Sequence, residues 1–358
     1  MKILHMVDTL GLGGTQTVVK GIFEKQKNNS NIFLYALRKR DINIEIDHQN
    51  VFTYDSKNKF SFPLFKLRKF IKENNIEILH CHLAKSQIMG GVLKTLFFPN
   101  IKLVLHEHGA IFNDGKIYPF FMNLFKNKVN LYIAVSNAIK KAILQKTKYD
   151  NNKVKVLYNF VDLDKFKKIE NFDIETERKK YSLDKNDFVI GFASRLNEAK
   201  GWKEFVNSAK NLIKKGYDIK FLVAGDGPDK EKLLEEIKGI SNIQYIGYVN
   251  NMVSFYNILD CFVFPSHREA LPMTILEVNG IGIPLVASNI SGINEIMMDN
   301  KNSLLFEKQN VEDLIKSIIK LYEDLNLRND LIKNGLEEVR KYSLEKYLVE
   351  LNNLYNNL

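Results

Sequence analysis

Short apolar runs recur along the chain, and they do not alternate. The first half holds Ile3–Val7, Ile32–Ala36, Ile78–His80, Leu103–His106 and Leu131–Val135. The second holds Val189–Ala193, Ile219–Ala224, Ile243–Ile246, Cys261–Phe264 and Leu285–Ala287. Continuous runs of Val, Ile, Leu and Phe predict strands buried on both faces, as in parallel sheets covered by helices. Between them the apolar residues fall at helical spacing, as in Trp202–Lys215, Lys230–Lys238, Met273–Asn279 and Val311–Tyr322. A β-then-α rhythm that runs twice in tandem predicts two doubly wound α/β sheets. The rhythm breaks at residues 158–187, where Lys165–Asp187 is rich in charge and poor in strand signal, and it resumes at Phe188. The last stretch, Leu344–Leu358, reads as an amphipathic helix.

The 358 residues suit two domains of about 150–200 residues each. An apolar content of 45% and a charged content of 26% are ordinary for a soluble globular protein. No apolar run reaches the ~18 residues that span a bilayer. Met1–Val7 stops at Asp8, and reads as a buried first strand and not as a signal peptide. Cys81 and Cys261 are far apart and cannot form a zinc site alone; two cysteines in a chain of this length point to a reducing, cytoplasmic setting. The charge is uneven. Residues 1–160 carry 25 Lys+Arg against 11 Asp+Glu, a net +14, and the rest carry 27 against 31, a net −4, which together give the chain's +10. A basic half attracts anions such as lipid headgroups, phosphates or nucleic acid. Its bland alternative is a solvated, lysine-rich surface. In Lys57–Lys72, Phe60, Phe62, Leu64, Phe65, Leu67 and Phe70 interleave with Lys59, Lys66, Arg68, Lys69 and Lys72, and Ile117–Lys128 repeats the mixture. Such segments suit an anionic membrane surface, or else helices packed on a sheet with lysines outward.

The first strand runs into Gly11-Leu12-Gly13-Gly14-Thr15-Gln16 and then a helical pattern. Glycines at a strand-to-helix turn let backbone N–H groups approach an anion. The spacing fails G-x-G-x-x-G, because Gln16 holds the last position, and the chain has no P-loop signature. A dinucleotide dehydrogenase and a P-loop enzyme are therefore disfavoured. His80 and His82, and His106 and His108, end two predicted strands, where open α/β sheets bind ligands; His267 follows a third. Each i, i+2 pair offers two imidazoles on one side, for substrate contact, packing or a metal. Arg195 and Lys200 follow strand Val189–Ala193 and can converge on one phosphate group. Gly225-Asp226-Gly227-Pro228 reads as a tight turn. After Cys261–Phe264, Glu269 falls in a loop, Pro272 suits a first helical turn, and Glu277 falls inside the helix. Two carboxylates flanking a positive helix end suit a sugar diphosphate: hydroxyls donate to the carboxylates, and the helix end takes phosphate.

Glu269 and Glu277 match the E-x7-E motif, and here the chain resembles the retaining glycosyltransferases of family GT4 (group 1), which have the GT-B fold. The resemblance continues through Gly280–Ser288, Ser291–Ile296 and Asn302–Phe306. Arg195 and Lys200 resemble the family's phosphate-binding pair, and Gly225–Pro228 and Ile246-Gly247-Tyr248 look like further landmarks. In the first half Gly13-Gly14 resembles the family's glycine loop, His106-Glu107-His108-Gly109 its T-x-H region, and Ala134-Val135-Ser136-Asn137 its V-S motif. The similarity spans nearly the whole chain and is most specific from Gly191 to Phe306. The sequence departs from the pattern at Ala270, Phe160 and Ser303, where the family usually has Gly, which bears on donor preference more than on activity. Asp162-Leu163-Asp164 spells the D-x-D that holds a metal in another glycosyltransferase fold, but lies in the family's N-x-V-D stretch.

The resemblance implies two Rossmann-like domains with parallel sheets facing a central cleft. Residues 1–160 would bind the acceptor, 161–343 the nucleotide sugar, and the helix at about 344–358 would pack back on the first domain. It implies retaining transfer of a sugar from a nucleoside diphosphate sugar, expected to be a UDP-sugar, without metal or other cofactor. The acceptor would be a glycan or lipid-linked glycan of bacterial surface polysaccharide or lipopolysaccharide synthesis, reached from the inner face of the cytoplasmic membrane. Arg195 and Lys200 would neutralise the leaving diphosphate, with helix N–H groups from Leu271, Pro272's following residues Met273 and Thr274, and the loop at Ala270 assisting. Glu277 would accept from ribose hydroxyls, and Glu269 would orient the donor sugar. His108 would act beside the reacting sugar. Gly13, Gly14 and Tyr248 complete the expected donor contacts. A front-face displacement, with the leaving phosphate assisting deprotonation, is the family expectation. The rivals are a sugar-nucleotide epimerase of the same fold, a non-catalytic partner subunit and, from the basic half, a nucleic-acid-binding protein; the chain has no recognised nucleic-acid module.

Overall fold

The computed structural model describes residues 1–11, 13–40, 44, 46–55, 63–112 and 115–358. They group into two units, Met1–Phe160 with Leu344–Leu358, and Val161–Ser343. Residues 57–62 of the aromatic and basic stretch, with Lys59, Phe60 and Phe62, lie outside the described residues, as does Leu12 of the glycine loop.

The first unit is built on seven strands: β1 (Ile3–Thr9), β2 (Ile32–Arg38), β3 (Val51–Thr53), β4 (Ile78–His82), β5 (Lys102–Glu107), β6 (Leu131–Ala134) and β7 (Val154–Val156). They pair in the order β3-β2-β1-β4-β5-β6-β7, all parallel. Helices α1 (Gly14–Gln26), α2 (Leu64–Glu73), α3 (Ala84–Leu96), α4 (Ile117–Phe125) and α5 (Asn137–Lys146) make the connections. Nearly all residues of β1, β2, β4, β5 and β6 are buried, which is why apolar residues dominate these strands. The C-terminal helix, Leu344–Asn356, belongs to this unit. Its Tyr347 ring lies 4.7 Å from Phe160, and its Glu345 pairs with Lys25 of α1 at 2.8 Å. Phe160 also lies where a Cβ at Gly21 of α1 would come within 2.9 Å of its ring. The bulky residue that stands in place of the usual glycine thus fills a slot between α1 and the last helix.

The second unit repeats the plan with β8 (Phe188–Ala193), β9 (Ile219–Ala224), β10 (Ile243–Gly247), β11 (Cys261–Phe264), β12 (Leu285–Ser288) and β13 (Leu304–Phe306), ordered β10-β9-β8-β11-β12-β13 and parallel. Its helices are α6 (Ile174–Lys179), α7 (Trp202–Lys214), α8 (Lys230–Ile237), α9 (Met252–Asn257), α10 (Met273–Ile281), α11 (Val311–Glu323) and α12 (Leu325–Val339). The core joins Phe192, Phe221 and Val263 of the sheet to Trp202 and Phe205 of α7 and to Leu314 and Ile318 of α11. In each unit the strand order reverses beside the first strand, between β1 and β4 and between β8 and β11. That switch point opens a crevice at the carboxyl ends of the strands, where this class of sheet receives ligands. Three three-residue strands, β3, β7 and β13, extend the sheets beyond the expected runs.

Candidate functional site

In the second unit the loops after β8 and β11 meet at the switch point. Arg195 stands exposed past the end of β8. Lys200 ends a single 3-10 turn, Glu198–Lys200, and Gly201 follows it with φ +74. A Cβ on Gly201 would lie 2.0 Å from the Pro265 carbonyl oxygen, so a side chain there would push the two loops apart. The approach lets His267 N–H donate to the Ala199 carbonyl at 2.8 Å. It also brings Lys200 Nζ to 2.6 Å from Glu269 Oε1. The Ser266 hydroxyl donates to the same Glu269 oxygen at 2.5 Å. This ion pair is mostly enclosed, Lys200 being 28% and Glu269 11% exposed. The ammonium and carboxylate therefore hold each other where an incoming anion and hydroxyl would compete for them.

Behind the loop, α10 starts at Met273 with Pro272 as its N-cap, one position earlier than a first helical residue. No side chain caps it, and the first-turn N–H groups of Met273, Thr274 and Ile275 are those a helix cannot pair internally. Glu277 lies in the second turn and is buried. Tyr256 of α9 donates its hydroxyl to Glu277 Oε2 at 3.1 Å. Burial pushes the Glu277 carboxyl up from 4.5 to about 7, against the Tyr256 hydrogen bond and the charge of Lys165. The backbone of Glu269 and Ala270 is backed by Gly292 (φ +88), where a Cβ would meet the Ala270 oxygen at 2.5 Å. Leu271 is buried under the same loop. The loops after β8, β9 and β10 are stitched by Leu196 N–H to Asp226 O at 2.9 Å and Gly225 N–H to Gly247 O at 2.8 Å. Tyr248 follows β10 and is 54% exposed; β9 separates its strand from β8.

The structure thus brings Lys200 and Glu269 into contact and sets Glu277 one helical segment away. His267 braces α7 instead, its Nε2 lying 3.0 Å from Glu204 Oε1. Asp162 Oδ1 accepts from the N–H groups of Asp164 and Lys165 at 3.0 and 3.2 Å, so D-x-D forms a turn. Ser266 and Tyr256 are additions that sequence reasoning missed. Ser266 adjoins the motif, but Tyr256 lies 21 residues from Glu277 and carries no local signal.

In the first unit α1 starts at Gly14 with Gly13 as N-cap. A Cβ at Gly14 would meet nothing within 4 Å. Asp8 accepts from the N–H groups of Ser86 and Lys85 at 2.7 and 3.2 Å, tying the end of β1 to the start of α3. The β1–β4 register sets His5 beside His80, and the β4–β5 register sets His82 beside His106. Alternation puts His108 on the same side. The result is a column of five imidazoles, with His5, a residue sequence reasoning overlooked, at its inner end. His5 Nδ1 lies 3.1 Å from His82 Nε2, and His82 Nδ1 lies 3.1 Å from His108 Nε2. His80 Nδ1 lies 2.5 Å from the Tyr355 hydroxyl. Burial lowers His5 to about 4 and His108 to about 3, and drives His80, His82 and His106 well below their ordinary value, with the neighbouring imidazoles adding to the effect in those three. Two sets, His5/His80/His82 and His82/His106/His108, have ligand atoms within 4.8 Å of one another and the donor type that could hold a metal. The segment His106–Gly109 is fixed by Glu107, which accepts from Gly109 N–H at 2.8 Å and Ile111 N–H at 3.2 Å and from the Tyr118 hydroxyl.

The family model described as Glycosyl transferases group 1 matches residues 173–338, and that described as Glycosyltransferase Family 4 matches residues 26–165. Similar sequences include the capsular polysaccharide biosynthesis glycosyltransferase CapM of Staphylococcus aureus, 28% identical over 255 residues that cover 67% of this chain and 66% of that protein. Another is the UDP-Gal:alpha-D-GlcNAc-diphosphoundecaprenol alpha-1,3-galactosyltransferase of Escherichia coli, 26% identical over 307 residues, 82% of this chain and 78% of that one. Among solved structures, Anabaena Alr3699/HepE in complex with UDP and glucose superposes with a TM-score of 0.86 over all of both chains at 18% identity.

Proposed function

Since the chain belongs to the group 1, family 4 glycosyltransferases and is an enzyme of that kind, we propose that it transfers a sugar from a UDP-sugar, with retention of anomeric configuration, to a lipid-linked glycan of a bacterial surface polysaccharide. The observation that carries the reading is the Lys200–Glu269 pair at the β8/β11 switch point, with buried Glu277 on the helix behind it. A diphosphate exchanges Glu269 for phosphate at Lys200 and gains Arg195. The freed Glu269 accepts from hydroxyls of the transferring sugar. The loop at Ala270 and Leu271 and the N–H groups after Pro272, at Met273 and Thr274, add donors to the phosphates. Glu277 takes the ribose hydroxyls, and Tyr248 lines the nucleotide. Charge develops on the leaving diphosphate, so Arg195 and Lys200 lower the barrier where that charge appears. In this reading the two side chains supply the cationic charge, and the enzyme needs no metal or other cofactor. His108 hydrogen-bonds the transferring sugar, and the open space over Gly14 admits substrate to the backbone beside Gly13.

The UDP named for both the Escherichia coli galactosyltransferase and the Anabaena structure supports the choice of base. The diphosphoundecaprenol in the former's name supports a lipid-linked acceptor. For this acceptor we propose a peripheral position on the cytoplasmic membrane face, with no nucleic-acid partner. Among the described residues no helix is long and apolar enough to cross a membrane.

The test is a thermal-shift series with UDP, GDP, ADP, CMP and NAD, each with and without EDTA. A ligand that binds only the folded chain raises the melting temperature. We expect a shift with UDP that EDTA leaves intact and that Arg195→Ala or Glu277→Ala abolishes. No shift with any nucleoside diphosphate would overturn the donor site.

A further inference from the structure

The nitrogens of the histidine column are not equivalent. His5 Nε2, His80 Nε2 and both nitrogens of His106 are buried without a partner. His5 Nδ1, His82 Nε2, His82 Nδ1 and His108 Nε2 instead form two consecutive contacts of 3.1 Å. His5 and His82 are fully buried, whereas His108 is half-buried. The chain of rings therefore has a closed end at His5 and an open end at His108.

We propose that His5 and His82 are positioning residues that set the tautomer of His108, leaving its single proton on Nδ1 at the open end. Each neutral imidazole has one N–H and one lone pair, so the two contacts admit two orderings. In the first, His5 Nδ1–H donates to His82 Nε2, and His82 Nδ1–H donates to His108 Nε2. In the second, His108 donates inward and every proton sits on Nε2. The orderings differ at the ends. The first leaves a bare lone pair on buried His5 Nε2, and the second leaves a buried N–H there with no acceptor. An orphaned buried donor is the rarer of the two faults. The first ordering also presents an N–H at the open end, which suits a hydroxyl or phosphate oxygen. Burial keeps all three rings neutral, so the ordering persists at working pH. The same rings are the only candidate metal-ligand sets among the described residues, and a bound dication would take up lone pairs that this ordering leaves to the ring-to-ring contacts.

The inference rests on reading His108 as a contact of the transferring sugar, but its first test needs no turnover. Long-range proton–nitrogen correlation on the full chain, labelled with nitrogen-15 histidine at pH 7, reports which nitrogen of each ring is protonated. The expected result is His108 and His82 both protonated on Nδ1. His108 protonated on Nε2, or imidazole shifts of metal-bound type with zinc retained through EDTA, would overturn the proposal. His5→Phe removes the first donor and is expected to shift His108 toward the Nε2–H form, with kcat down about tenfold and KM for the nucleotide sugar unchanged. His5→Asn, whose amide N–H stands where Nδ1–H does, is expected to restore both. An unaltered His108 tautomer in His5→Phe would also overturn the proposal, whereas an altered tautomer with unaltered kcat would remove only the role given to His108 in transfer. Should His5→Phe not fold, the wild-type spectrum still decides the direction. The expected tautomers in a chain with no transferase activity would defeat the functional reading and leave this one standing.

Discussion

At the scale of single residues, the proposed site couples charge to burial. Glu277 is the clearest case, since its carboxyl is raised from 4.5 to about 7 by burial. The folded chain keeps a proton there that the unfolded chain has lost. The stability this contributes is complete below pH 4.5 and is lost as pH rises through about 7, a span worth about 3 kcal/mol. Glu277→Gln cannot ionise, and its amide oxygen still accepts from Tyr256. We expect its melting temperature to be flatter than wild type between pH 5 and 8 and higher at pH 8, with the gain from UDP lost. Parallel pH profiles by calorimetry would mean that Glu277 does not titrate as stated. The retained cost has a reason in the proposed role: a carboxylate that accepts two ribose hydroxyls must be ionised, and Tyr256 is placed to favour that form. Neither Tyr256 nor His5 was legible beforehand. Both reach their partners across the sheet or between helices, and a linear pattern records only neighbours along one element.

At the scale of elements, the ten strands expected from apolar runs are all present, most of them longer by a residue or two. Their legibility comes from double-sided burial, which keeps them rich in apolar residues, the buried histidines of β1, β4 and β5 aside. The missing strands, β3, β7 and β13, are three residues each, too short for a period to show. The loops at strand ends were legible as motifs, but their packing was not, because it depends on which loops the strand order makes adjacent. Two glycines separate these cases. Gly201 has φ +74 and would drive a Cβ to 2.0 Å from the Pro265 oxygen. Gly201→Ala is expected to lower stability by about 2–3 kcal/mol in urea unfolding. Gly14 opens α1, and a Cβ there meets nothing within 4 Å. Gly14→Ala is expected to keep or raise stability by under about 1 kcal/mol, because alanine is the better helix former. If substrate comes against this backbone, the same variant raises KM about tenfold. An unchanged KM would leave Gly14 a plain helix start.

At the scale of the whole molecule, the basic excess of residues 1–160 coincides with an apolar surface. α4 buries Met122 and Phe125 on one side and exposes Ile117, Phe120 and Leu124 on the other. Its neighbour α3 exposes Leu96, and α2, beside α3, exposes Phe65. Each of these five side chains is more than 60% exposed. Lys66, Arg68, Lys69 and Lys72 on α2 and Lys116 and Lys128 at the ends of α4 are exposed on the same elements. Large apolar side chains left in water beside cations suit the boundary of an anionic bilayer: lysines draw the surface in, and the apolar groups enter it. The lipid-linked acceptor proposed above would be reached from such a surface. The triple change Ile117→Ser, Phe120→Ser and Leu124→Ser removes mostly exposed groups, of which Phe120 meets the Phe121 ring edge-on at 5.6 Å, so the melting temperature should fall little. Sedimentation with vesicles containing phosphatidylglycerol, at low salt, should show wild type bound and the variant weakened about tenfold or more. Raising salt should release both, since exposed charges are screened within about 10 Å at 0.1 M. Equal sedimentation of variant and wild type would make the attraction purely electrostatic. Indifference to vesicles together with binding to random duplex DNA at physiological salt would turn the basic face into a nucleic-acid surface, and with it the proposed membrane position would fall.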